Sequence, residues 1–95
     1  MTNEEYLLGK LAEECSELIK EAIKAQQFGL TRIFGGQKKP LSIAEKLGNE
    51  FNDVLGVIRL LNLECGANIE HDEDKIMARI DKIDVWQKIH NKENI

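Results

Sequence analysis

The chain has 95 residues, of which 32% are charged and 42% apolar, with a formal net charge of -4. That length specifies one domain over residues 1–95, and the apolar share excludes disorder. The acidic balance argues against nucleic-acid binding, which calls for a basic stripe. No apolar run reaches the length of a membrane span and the acidic start does not resemble a signal peptide, so a cytoplasmic protein with no membrane partner is expected. A domain this small buries a modest fraction of its surface, which predicts a core shared in an oligomer.

Leu, Ile, Ala, Glu and Lys dominate, and they favour helix over strand. Thr2 or Asn3 can cap a first helix over about Glu4 to Phe28, in which Leu8, Leu11, Cys15, Leu18, Ile19 and Ala22 recur at three- and four-residue spacing. Glu14, Glu17 and Glu21 lie together along one border of that stripe. Gly29 is a stop signal. Residues 29–41 form a long connection punctuated by Gly35, Gly36 and Pro40, either a solvated loop or a place where Lys38 and Lys39 meet phosphates.

Ser42 and Glu45 read as a capping box opening a second helix that runs to about Glu64. Its apolar face is broad: Ile43, Ala44, Leu47, Phe51, Val54, Leu55, Ile58 and Leu61, widened by Val57 and Leu60. Such breadth predicts burial on more than one side. Gly66 ends it. A third helix is expected from roughly Glu70 or Asp72 to Ile89, with a narrower stripe of Ile76, Met77, Ile80, Ile83 and Gln87. From about His90 the polar tail is expected to fray. The fold class is therefore all-α: an antiparallel helical hairpin plus a third helix, completed by dimerisation into a four-helix-type bundle.

Two carboxylate pairs stand out. Glu14 and Glu17 are three residues apart, and so are Glu50 and Asp53, which places each pair on one helix face about 5–6 Å apart. Either pair alone is ordinary helix surface, with Lys10, Lys20 and Lys24 near enough to neutralise the first-helix acids. Both pairs border apolar stripes on consecutive helices, and an antiparallel hairpin can bring them together. Four such groups repel one another unless a cation sits among them. Oxygen-only ligands suit Mg²⁺, with Mn²⁺ as a substitute. Such an ion, open on its other side, is how proteins hold substrate phosphates and activate water.

Glu13-Glu14-x-x-Glu17 followed by Glu50-x-x-Asp53 resembles the E-E-x-x-E … E-x-x-D signature of the MazG-like all-α nucleoside triphosphate pyrophosphohydrolases. The context is similar too: Lys10-Leu-Ala-Glu-Glu-Cys-Ser-Glu-Leu, Lys24-Ala-Gln-Gln-Phe-Gly and Glu50-Phe-Asn-Asp-Val-Leu-Gly-Val-Ile look like the small phage-type members. Arg79-Ile-Asp-Lys82-Ile resembles their basic K-x-x-K segment. The likeness covers about residues 7–86. It implies a Mg²⁺-dependent enzyme that cuts a nucleoside triphosphate between the α and β phosphates, giving a monophosphate and pyrophosphate. It implies Glu14, Glu17, Glu50 and Asp53 as metal ligands, with Glu13 and Glu17 serving catalysis, Glu13 as an accessory carboxylate that either supports the ligands from behind or helps orient the attacking water. Arg79 and Lys82, with Lys75 in reserve, would bind the phosphates, and the active form would be a homodimer or tetramer. Two departures are visible: the gap between the acidic motifs is longer than in compact members, and Arg79 stands where Lys is usual. The related alternatives are a phosphoribosyl-ATP pyrophosphohydrolase and a non-enzymatic helical interaction module of the same fold.

The remaining singular residues read as structural. Cys15 and Cys65 fall at stripe positions, as buried reduced thiols. His71 and His90 sit near helix ends in polar surroundings. Trp86 reads as core or interface packing. Asn62, at a stripe position, needs a hydrogen-bond partner if buried, and a structural pairing is favoured over a base contact.

Overall fold

Helix α1 spans Asn3–Phe28 in a computed structural model that describes residues 1–93. Thr2 caps it, its hydroxyl accepting from the Glu5 amide at 3.1 Å, while Glu4 and Glu5 in the first turn complement the helix dipole. Gly29 ends the helix at φ 89°, a conformation that disfavours side chains, and its N–H donates to the Ala25 carbonyl at 2.8 Å.

The connection that follows is tied down. Ile33 and Ser42 pair in a single antiparallel bridge, and the amides of Ile43 and Ala44 donate to the carbonyls of Arg32 and Leu30 at 3.0 and 2.9 Å. Phe28 and Phe34 meet edge to face at 5.2 Å, and the Arg32 guanidinium lies 5.3 Å over the Phe34 ring. These contacts fasten the loop to the closed end of the hairpin, with Lys38 and Lys39 exposed on it.

Helix α2 spans Ile43–Cys65. The capping box is complete: the Ser42 hydroxyl accepts from the Glu45 amide at 3.1 Å, and the Glu45 carboxylate accepts from the Ser42 amide at 3.2 Å. Gly66, left-handed at φ 63°, stops it. The helix runs back along α1, and at the open end the Asn3 side-chain amide donates to the Glu64 carboxylate at 3.4 Å. Leu7, Ile43, Val54 and Leu61 are the buried apolar side chains of the described residues.

Helix α3 spans Glu73–Glu93. It starts at the later of the two expected positions, where Asp72 caps it, the Asp72 carboxylate accepting from the Lys75 amide at 3.1 Å. It also continues past Ile89, so His90–Glu93 are helical; the last two residues of the expected polar tail lie outside the described residues. Before α3, the Asn62 side chain grips the backbone of Ile69 twice: its amide donates to the carbonyl and its oxygen accepts from the N–H, both at 2.8 Å. Asn62 thus has a structural part, but with the backbone of the linker rather than as a polar pair across the bundle. It pins the linker alongside α2.

Among the described residues α3 packs against neither α1 nor α2. The radius of gyration is 17.0 Å, against about 12 Å for a compact chain of this length. The three helices and the antiparallel hairpin are as expected. The surprise is how the hairpin closes. The side of α1 turned toward α2 centres on the buried Leu7 and the half-buried Leu11, Glu14, Leu18, Glu21 and Ala25, with Cys15 half-buried on one flank and Lys10 and Glu17 on the other, so it is rotated from the apolar stripe toward its acidic border. Leu8 and Ile19, expected in the core, are exposed. Cys15 and Cys65 are free and half-buried. No described helix is long and apolar enough to cross a membrane.

Candidate functional site

That rotation positions the candidate site. Because α1 meets α2 along its acidic border, Glu14 points into the seam between the helices. Glu50 lies seven residues past the start of α2, about 10 Å of helix, and Asp53 follows one turn later. Oxygen atoms of Glu14, Glu50 and Asp53 lie within 4.8 Å of one another, with Glu14 and Glu50 half-buried and Asp53 exposed.

The Glu50 carboxyl titrates above its ordinary value. Partial desolvation is the main cause, and the charges of Asp53, Glu14, Glu17 and Glu21 add to it in that order. So the acids of both helices act electrostatically on one group, and Glu14 of the first pair comes together with both members of the second.

Not every expected member joins them. The Glu17 carboxylate pairs with Lys20 at 3.3 Å and lies outside the close group, although its charge still acts on Glu50. Glu13 pairs with Lys10 at 3.2 Å on an exposed part of α1, and that contact raises the Lys10 ammonium above its usual range. Lys75, Arg79 and Lys82 ride on α3, which does not touch the hairpin, so a single chain does not bring them to the carboxylates. Arg79 instead stacks 5.0 Å over the Trp86 ring.

Glu21 was placed on the acidic border but not counted among the site residues. Its side chain is only 12% exposed; one carboxylate oxygen pairs with Lys24 at 3.2 Å, and the other, Oε2, is buried without a hydrogen-bond partner. The signal was its register, one turn beyond Glu17 and two beyond Glu14 on the same border.

The donor set can be tested against the cation it suggests. Octahedral Mg²⁺ with bonds near 2.1 Å holds neighbouring ligand oxygens about 3 Å apart. Carboxylates spread over as much as 4.8 Å must therefore draw in by about 1–2 Å, a movement within the range of side-chain rotation. Three hard oxygen donors from two helices, with Asp53 open to solvent, match the donor chemistry such an ion takes. Comparison with protein-family models, curated proteins and solved structures finds no match to this chain.

Proposed function

We propose that this chain is a Mg²⁺-dependent nucleoside triphosphate pyrophosphohydrolase, cleaving between the α and β phosphates and acting as a homodimer or tetramer. One observation carries the reading: the convergence of Glu14 with Glu50 and Asp53 across the α1–α2 seam. The resemblance of the two acidic motifs to the MazG-like enzymes supplies the reaction.

In this reading Glu14, Glu50 and Asp53 would hold Mg²⁺, and Glu17, now paired with Lys20, would be the fourth carboxylate available to it. When bound, the ion offsets phosphate charge and promotes attack by water. Glu13 swings from Lys10 to orient that water, and Glu17 assists. Arg79 and Lys82, with Lys75 behind them, would bind the phosphate oxygens, for which a guanidinium is well suited, once α3 of the same or a second copy docks beside the carboxylates.

The test is pyrophosphate release from a panel of standard and modified nucleoside triphosphates, phosphoribosyl-ATP included, with Mg²⁺ or Mn²⁺. Glu50→Gln and Asp53→Asn should abolish release while keeping the helical content. Unchanged release in either variant would sink the assignment. A second reading, a non-enzymatic helical interaction module, draws on the exposed apolar surface of α2 and α3. It predicts no turnover of any nucleotide and no dependence of partner binding on divalent cations.

A further inference from the structure

The side of the hairpin that carries the carboxylates changes sign toward its closed end. At 100° per residue Lys46 falls between Glu50 and Asp53 in rotation about α2. It sits one turn, about 6 Å of axis, from Glu50 in the direction of the loop. On α1 the matching flank carries Glu14, Glu17 and Glu21, then Lys24. Because the helices are antiparallel, equal rotational displacement brings the two flanks to one side of the pair. Beyond them, residues 22–44 hold four cationic side chains, Lys24, Arg32, Lys38 and Lys39, and no acidic one, in a chain whose net charge is -4. From Glu50 to the loop this side passes from acid to base.

Lys46 differs from the other lysines near the carboxylates. Lys10, Lys20 and Lys24 are each taken up by a glutamate three residues away. Lys46 is half-buried, and its ammonium has no ion pair or hydrogen bond with any described residue. A stem laid along the protein surface limits where the charged head can go. Lys75, Arg79 and Lys82 ride on α3, which packs against neither helix of the hairpin. Lys46 is thus an unpaired cation that the hairpin itself sets beside the carboxylates.

We propose that Lys46 is a substrate-binding residue of this site, holding the phosphate chain of a nucleoside triphosphate next to the carboxylates, with Lys38 and Lys39 of the loop taking the phosphate farthest from them. The carboxylates alone repel phosphate and meet it only through a divalent cation. An ammonium one turn away offers a point charge and three donors to the rest of the chain. The order of charge along the hairpin therefore suits a polyanion lying from Glu50 toward the loop, and no movement of α3 is needed. The assignment rests on the reading of the carboxylates as a Mg²⁺ site for phosphates.

The experiment reads binding rather than turnover. Isothermal titration calorimetry of the full chain with inorganic tripolyphosphate, in saturating Mg²⁺, gives the affinity. Lys46→Met keeps most of the stem and removes the charge; it should weaken binding about tenfold, the worth of one charge-assisted hydrogen bond. Lys46→Arg keeps the charge and should stay within about threefold of wild type. Replacing Lys38 and Lys39 together by Ala should weaken binding about threefold, as exposed charges do. Lys88→Met, on α3, should leave it unchanged. Circular dichroism should show wild-type helical content in every variant. No binding by the wild type, unchanged affinity in Lys46→Met, or an equal loss in Lys88→Met would overturn the proposal. The two failures are distinct. Pyrophosphate release from nucleotides, with tripolyphosphate bound equally well by Lys46→Met, removes the role of Lys46 and leaves the enzyme. Binding through Lys46 without turnover of any nucleotide removes the enzyme and leaves the phosphate site.

Discussion

Replacing Glu50 with Gln removes one negative charge from a cluster in which Glu14 and Asp53 each place an oxygen within 4.8 Å of the others. At that distance in water two unit charges repel by about 0.9 kcal/mol. Two such repulsions total about 1.7 kcal/mol, falling to about 1 kcal/mol when screened at physiological salt. Gln keeps the size and the helix propensity of Glu. So Glu50→Gln should make the protein more stable without divalent cations, by about 1 kcal/mol or roughly 4–8 °C in melting temperature. Circular dichroism melts in a chelator provide the assay, and the gain should shrink as salt is raised. Mg²⁺ should reverse the order, raising the melting temperature of the wild type by linkage and leaving Glu50→Gln unmoved. The pH dependence carries its own sign. Glu50 titrates higher folded than unfolded, so its neutral form contributes stability that is complete below the ordinary value of 4.5 and is lost as pH rises through the raised one. The advantage of Glu50→Gln should therefore be present at neutral pH and fade on acidification toward 4.5. A variant melting at or below the wild type, in chelator at low salt and neutral pH, would refute the claim that these carboxylates repel.

Two further substitutions probe the scaffold. Asn62→Ala removes both 2.8 Å hydrogen bonds to the Ile69 backbone; it should cost about 1–3 kcal/mol in urea denaturation and speed hydrogen exchange at the Ile69 amide. Leu61→Ala empties a site only 1% exposed and should cost about 2–5 kcal/mol, measured by the same denaturation, while Leu63→Ala on an exposed face should fall within about 0.5 kcal/mol of wild type.

The local signals in the chain were readable because each rests on neighbours in sequence. Gly29 stops α1 and Ser42 with Glu45 opens α2, since caps and stops need only a few adjacent residues. The side of α1 that meets α2 was not readable in the same way. Periodicity locates an apolar stripe, but the choice between burying Ile19 and burying Glu14 depends on the other helix and on whatever else covers the stripe. For the same reason the register placed Glu14, Glu17 and Glu21 on one border without showing that Glu14 reaches Glu50 and Asp53 while Glu17 turns to Lys20. The basic residues of α3 were identified as a group, yet nothing local to them encodes the distance that separates α3 from the hairpin.

That separation has a thermodynamic consequence. A helix of 21 residues that packs against neither α1 nor α2 among the described residues draws its stability from propensity, its Asp72 cap and contacts within the helix such as Lys88 with Asp84 and Arg79 with Trp86, and helices of that length are marginal in water. In an isolated chain α3 melts and reforms independently of the hairpin, so unfolding is not a single cooperative event. A partner docked against Ile76, Ile80 and Ile83 would supply free energy that holds α3 helical. Its helicity then serves as an internal gauge of docking, readable in the far-ultraviolet as the protein is diluted.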